Sequence, residues 1–296
     1  MAQQWRSYAK INLYLDVLRK RHDGYHAIET LFQSVSLYDE LTISAEKTDL
    51  VLTATQPGLD CGPSNLVWKA ARRLQEMSGC RLGARIHLEK NIPLAAGLAG
   101  GSGNAAATLA ALNELWDLKL SQAQLLACAR PLGADVSFCL VGGSRAATQK
   151  GDVLYPLPPL PPVCFVLVHP AISLSAGFIY THPALKLSAA RPVAGRSSPF
   201  RKALRALKSE DWSSLVYNAM EVPAFEEHPR LALLKNELLT GGCIAAAMSG
   251  SGPTLFGICL SLEEAERVRD SLKSLEPGES VSIVRPCLRG VEKMNP

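Results

Sequence analysis

The stretch Pro93-Leu94-Ala95-Ala96-Gly97-Leu98-Ala99-Gly100-Gly101-Ser102-Gly103-Asn104, continued by an alanine-rich run to Trp116, constrains this chain more than any other. Gly97, Gly100, Gly101 and Gly103 free the backbone for positive φ and for close approach to a ligand, at an entropic cost that a plain connector need not carry. The run past Asn104 has high helix propensity, and Ser102 stands where it can cap the helix start. The first amides of such a helix, at the positive end of its dipole, face a phosphate chain well. The stretch therefore reads as an anion-binding loop feeding a helix, with a flexible glycine connector as the alternative.

Two familiar phosphate loops do not fit it. A P-loop requires Gly-Lys-Ser/Thr, and no lysine follows these glycines until Lys119. Gly101-Ser102-Gly103-Asn104-Ala105-Ala106 satisfies the dinucleotide pattern, but that pattern follows a strand directly, and the strand expected at 84–88 ends well before the glycines.

The wider chain has room for two ordinary cores: 296 residues with 47% hydrophobic and 20% charged content. A net charge of +4 suits an anionic substrate and is too small to argue for nucleic acid. Eight cysteines include no Cys-x-x-Cys pair, which points to a reduced, cytoplasmic setting. Arg6, Lys10 and Asp16 interrupt any leader-like apolar segment. The stretch 153–185 lacks Asp, Glu, Lys and Arg, but its prolines forbid a regular spanning helix.

From Trp5 to Val17 the residues alternate, which predicts a strand with Lys10, Asn12, Tyr14 and Asp16 on one face. Arg21-His22-Asp23-Gly24-Tyr25-His26 reads as a turn followed by two rings. Residues 30–37 and 41–43 read as two strands joined by a turn at Tyr38-Asp39-Glu40, and 50–55 as another. Ser64 is the expected cap of a helix over 67–77, and Ser121 of one over 122–130. Asp135 is the sole charge between Arg130 and Arg145. It reads equally as a structural cap and as a functional acid. The prolines at 156, 158, 159, 161 and 162 form an extended connector, giving two domains, 1–158 and 159–296. Beyond it come strands at 163–168, 254–259 and 280–284 and helices from about Phe200 and over 263–275, the order of an α+β fold. Lys186 to Lys208 holds seven basic residues and no acidic ones, best read as a solvated face or loop.

Four segments together resemble the galactokinase, homoserine kinase, mevalonate kinase and phosphomevalonate kinase (GHMP) superfamily. They are Ala9-Lys10-Ile11-Asn12-Leu13, Lys90 to Ser102, Leu132-Gly133-Ala134-Asp135-Val136, and Ser249-Gly250-Ser251-Gly252-Pro253-Thr254-Leu255-Phe256-Gly257. The resemblance implies a two-domain α+β kinase, with an N-terminal ATP-binding domain of a kind also found in ribosomal proteins and a C-terminal α+β substrate domain. It implies that Lys10 and Asp135 are catalytic, with Asp135 as base. ATP would lie against Asn65, Pro93, Ala96, Gly97, Leu98, Ala99, Gly100, Gly101, Ser102 and Gly103, with Mg²⁺ shared among ATP oxygens and few protein ligands. The acceptor implied is a small alcohol, a cytidine diphosphate-linked methylerythritol, contacted by Asn12, Tyr25, His26 and Tyr180. No nucleic acid or membrane partner is implied, and the chain is expected to be a monomer or weak homodimer.

Departures from the family pattern stand at Gly103 (serine in many relatives), Ser137 (usually proline), Gln149-Lys150-Gly151-Asp152 and Ala176. Three rivals share parts of this reading: a kinase of another acceptor such as homoserine or mevalonate, an RNA-binding module, and an inactive relative that still holds nucleotide.

Overall fold

Two long antiparallel strands, β1 (Gln3–Lys20) and β2 (His26–Glu46), form the spine of the first half. The coordinates are a computed structural model that describes residues 2–188 and 196–294. The alternation along β1 predicts a one-sided strand, yet Ser7 to Leu18 is buried on both faces. Register shifts also break its parity. Beyond the one between Asn12 and Tyr14, it is Leu15 that shares a cleft with Lys10 and Asn12, while Tyr14 and Asp16 line a separate hollow with Tyr217 and Lys202. β2 likewise departs from expectation, since it passes through Tyr38-Asp39-Glu40 without a turn. Asp39 is fully buried there, so the polar break in the pattern marks an interior ion pair and not a solvent-facing corner.

β3 (Leu50–Ala54) runs parallel to β4 (Gly83–Glu89), which pairs with β2; β5 (Ser144–Thr148) pairs with β2 and with β6 (Val153–Pro156). Helices α1 (Leu66–Ser78), α2 (Gly100–Leu115), α3 (Gln122–Ala129) and α4 (Ala134–Val141) accompany this sheet. Leu74, Leu109, Leu112 and Phe138 from these helices pack with Ile43, Ile86 and Leu88 in one core. Asn65, not Ser64, caps α1: its Oδ1 accepts the Val67 N–H, and the Ser64 hydroxyl is bonded to Asp60 instead. Ser121 caps α3 as expected, in a reciprocal pair with Gln124.

After the proline-rich connector, β7 (Cys164–His169) enters a four-stranded antiparallel sheet with β9 (Ala245–Met248), β10 (Leu255–Cys259) and β11 (Ser280–Val284). Helices α5 (Ala176–Thr181), α6 (Ser198–Lys208), α7 (Trp212–Leu215), α8 (Glu221–Glu227), α9 (Pro229–Thr240) and α10 (Leu262–Ser271) complete this half. Of the basic stretch, residues 189–195 lie outside the described residues, while 198–208 form α6 behind the cap Ser197, whose N–H and hydroxyl both bond the buried Glu29 of β2.

Two late segments rejoin the first sheet. β8 (Tyr217–Asn218) lies parallel to β1, and β12 (Val291–Lys293) pairs with the start of β1. Gly290, just ahead of β12, accepts the Tyr8 N–H at 2.9 Å. A Cβ on it would come 1.8 Å from the Cys139 carbonyl oxygen at the end of α4. Among the described residues no helix is long and apolar enough to cross a membrane. All eight cysteines are free thiols.

Candidate active site

The glycine loop is suspended from three points. At its start, the buried Asp39 carboxylate pairs with Lys90 and accepts the N–H groups of Asn91 and Ile92, each at 2.8 Å. The same carboxylate takes an Asn104 Nδ2 hydrogen bond at 2.8 Å, while Asn104 Oδ1 accepts from Lys90 at 2.9 Å. In the middle, the Lys10 N–H donates to the Leu98 carbonyl at 3.1 Å, because β1 is out of register with β2 at that point. The third support is the 249–254 segment. Ser249 Oγ donates to the Gly97 carbonyl at 3.0 Å, and the Thr254 N–H to that of Ala96 at 3.3 Å.

The glycines act mostly through proximity. Gly97 has φ 75°, and a Cβ there would lie 2.1 Å from the Ser249 carbonyl oxygen. Gly100, Gly101 and Gly103 sit inside α2, and it is Ala95 and Ala99 that take left-handed φ values of 51° and 57°. Gly103 brings α2 against β1, where a Cβ would be 3.4 Å from that of Ser7. Ser102 is not the cap: Ala99 holds that position and no side chain caps the helix. The first-turn amides at Gly100, Gly101 and Ser102 are thus left with no intrahelical acceptor and no capping side chain. That arrangement is suited to phosphate oxygens.

Beside this cradle lies a cleft of about 300 Å³. Lys10, almost wholly buried, donates to Asn12 Oδ1 and to the Gly97 carbonyl, both at 2.8 Å, and its Nζ stands 3.7 Å from Asp135 Oδ2. Asp135 lies in the first turn of α4, with its side chain about one-third exposed. It is not a cap. Asn12 Nδ2 donates to Thr30 Oγ1 at 2.8 Å, so both polar ends of Asn12 are engaged and its amide orients the ammonium. Ser137, where the family usually has proline, is buried with its hydroxyl unpartnered.

At the far end of the cleft, Tyr25 is 61% exposed and Lys150 Nζ sits 4.8 Å from its ring centroid. His26 stacks on Tyr180 with centroids 4.9 Å apart and planes 12° from parallel. Burial, and then repulsion from Lys20, pushes the His26 pKa down, so the ring is neutral near pH 7. Burial, reinforced by the Asp135 charge, raises that of the Tyr180 phenol, which stays a hydrogen-bond donor. Tyr180 belongs both to the core and to the cleft wall. Ala176 lines the same wall.

Lys10, Asn12, Tyr25, Gly97, Ala99, Asp135 and Tyr180 thus converge on one cavity, with His26 stacked behind Tyr180. Asn65 stands apart, with its Oδ1 on Val67 and its Nδ2 donating to the Asp60 carbonyl at 2.6 Å. Gly250 and Ser251 of the 249–257 motif line the cleft, and so do three residues the sequence reading left without a role: Phe32, Lys150 and Met220. Lys150 carried a signal, as the only cation between Arg145 and Lys186.

Family models, curated relatives and solved structures all resemble this chain over most of its length. The family model described as GHMP kinases N terminal domain matches residues 65–143, and that described as GHMP kinases C terminal matches 198–277. A protein of Synechococcus sp. (strain JA-3-3Ab) named 4-diphosphocytidyl-2-C-methyl-D-erythritol kinase is 40% identical over 269 residues, spanning 89% of this chain and 87% of the relative. The protein of that name from Syntrophus aciditrophicus (strain SB) is 41% identical over 284 residues, 96% of this chain and 98% of its own. A crystal structure of 4-(cytidine 5'-diphospho)-2C-methyl-D-erythritol kinase superposes with a TM-score of 0.77 at 34% identity, covering 96% of this chain and 99% of that one. Mevalonate kinase of L. major, solved with R-mevalonate, shares the fold at a TM-score of 0.73 and 17% identity, over 95% of each chain.

Proposed function

The chain belongs to the GHMP kinases, and from that premise we propose that it transfers the γ-phosphoryl group of ATP to the 2-hydroxyl of 4-diphosphocytidyl-2-C-methyl-D-erythritol. The observation that carries the reading is the Lys10–Asp135 pair at 3.7 Å, set between the uncapped start of α2 and a cleft ending in Tyr25, Lys150 and Tyr180.

Phosphoryl transfer depends chiefly on positioning and on stabilising charge. In this reading the acceptor hydroxyl lies against Asp135, which takes its proton as the new O–P bond forms. Lys10, fixed by Asn12 and Gly97, holds that carboxylate and offsets charge on the incoming oxygen. The amides of Gly100, Gly101 and Ser102 receive phosphate oxygens. Tyr25 stacks on the cytosine, with His26 and Tyr180 fixing the opposite side.

The residues present fit a metal carried by the nucleotide. Among the described residues no three acidic, histidine or cysteine side chains converge, and Asp135 is the carboxylate lining the cleft. Mg²⁺ would be held mainly by phosphate oxygens, with Ser102 and Asp135 the protein groups at hand, and when bound it neutralises charge on the transferring group. In this reading residues 1–158 form the ATP-binding domain and also bring Lys10, Asn12, Tyr25 and Asp135 to the acceptor, while residues 159–296 form the substrate domain and add Tyr180, Met220 and Gly250 to the cleft. Free thiols suit the cytoplasm, and since one chain supplies every residue named, a monomer or weak homodimer suffices.

The test is ADP release with ATP and the cytidylylated alcohol, compared with homoserine and mevalonate as acceptors. Turnover should require the cytidylylated alcohol, and Asp135→Asn should lower it by about 10²- to 10⁴-fold, the usual weight of one positioned base. An unchanged rate removes Asp135 from that role.

A further inference from the structure

Asn218 has no role in the sequence reading, yet its surroundings are among the most closely specified in the molecule. It sits on β8 opposite Leu15 of β1, and the next residue fastens the pairing through Ala219 N–H to the Leu15 carbonyl at 2.9 Å. Its side chain is buried, with 3% of the residue exposed. Nδ2 donates to two carbonyls, Met248 at 2.7 Å and Gly250 at 2.8 Å, while Oδ1 accepts the Met220 N–H at 2.9 Å.

Those two carbonyls flank Ser249, whose hydroxyl holds the Gly97 carbonyl. Gly250, at φ 59°, is packed onto the ammonium itself: a Cβ there would lie 3.0 Å from Lys10 Nζ and 3.3 Å from Asn12 Oδ1. Asn12, Gly97 and Gly250 close three sides of the ammonium and the Phe32 ring centroid lies 5.7 Å away, while the carboxylate it faces is that of Asp135.

We infer that Asn218 is a positioning residue for phosphoryl transfer: it clamps the 248–250 backbone so that Gly250 closes over Lys10 and keeps the ammonium aimed at Asp135. The inference rests on the kinase reading above. Removing the clamp acts on the reacting geometry, whereas the phosphate cradle keeps its supports at Asp39 and at the Lys10 N–H.

Asn218→Asp tests it, because the side chain keeps its size and its acceptor for Met220 but turns an oxygen toward both carbonyls. The turnover number should fall about 10- to 100-fold, in line with a misplacement of an ångström or less, with the KM for ATP within about threefold of wild type. Gly250→Ala, which pushes a methyl at Lys10, should lower turnover as well. The double variant should lose less than the product of the single losses, since both act on one contact. Multiplicative losses overturn the inference, as does an Asn218→Asp enzyme that turns over normally or fails only in its KM for ATP. Should Asn218→Asp not fold, Asn218→Ser, which keeps one donor, carries the same test, and normal turnover there is equally fatal. A wild type that releases no ADP with the cytidylylated alcohol, or a Lys10→Met variant at full rate, overturns the kinase reading instead.

Discussion

Replacing Asp39 by leucine and Lys90 by methionine, one at a time, should give very unequal losses, although each change breaks the same ion pair. Without Lys90, the Asp39 carboxylate still accepts from Asn91 N–H, Ile92 N–H and Asn104 Nδ2, all at 2.8 Å. Without Asp39, the buried Lys90 ammonium keeps only Asn104 Oδ1 at 2.9 Å, and the buried Ile92 N–H is orphaned. Breaking a buried pair from one side costs about 3–5 kcal/mol, and Lys90→Met belongs at the lower end because its stranded charge retains three donors. Asp39→Leu belongs at the upper end, with about 1–3 kcal/mol more for the orphaned amide. A difference of about 3–5 kcal/mol follows, which at about 2–4 °C per kcal/mol for a domain of this size separates the two melting temperatures by about 6–20 °C. Thermal unfolding followed by circular dichroism, with the KM for ATP measured on whatever remains folded, checks both sides. Equal melting temperatures, or a larger drop for Lys90→Met, would refute the reasoning, because then the backbone donors at the loop entrance carry no weight.

Tyr25→Ala should raise the KM for the cytidylylated alcohol about 5- to 100-fold, the weight of one stacked base, while leaving that for ATP unchanged; equal loss of both would point to a folding defect. His169, buried between Thr254 and Ser282, has its pKa pushed down to about 4 by burial. Its folded pKa lies below the unfolded value of about 6.5, so as the pH falls through that window the unfolded chain takes a proton that the native state refuses, and stability declines. Between pH 7 and pH 5 wild type should lose about 2 kcal/mol more than His169→Gln, read from urea midpoints; parallel pH profiles would exclude His169 as the source.

Local signals carried much of this molecule. The glycine-rich stretch, the lysine in its strand and the isolated acid at Asp135 each stand out against their neighbours, and they meet in one cleft. What stayed hidden depends on partners distant in sequence. The break at Tyr38-Asp39-Glu40 has the composition of a turn, and only the buried Lys90 shows why the strand runs on. The parity of β1 changes at its register shifts, which no alternation pattern encodes. Ser102 has the residue type of a cap, but the chain enters α2 through a left-handed Ala99 and leaves those amides open. Asn218 gives no local hint, since its significance lies wholly in two carbonyls some thirty residues later.

The strand carrying Lys10 and the helix carrying Asp135 both lean on Gly290 and the short strand after it. Both elements belong to the first half of the chain, but the segment that backs them follows nearly the whole of the second half. A nascent chain paused at residue 158 would show the Trp5–Ser7 edge of β1 bare, a template on which a neighbouring polysome product could pair. A change that dislodges Gly290 or β12 should therefore be felt at Lys10 and Asp135, far away in sequence.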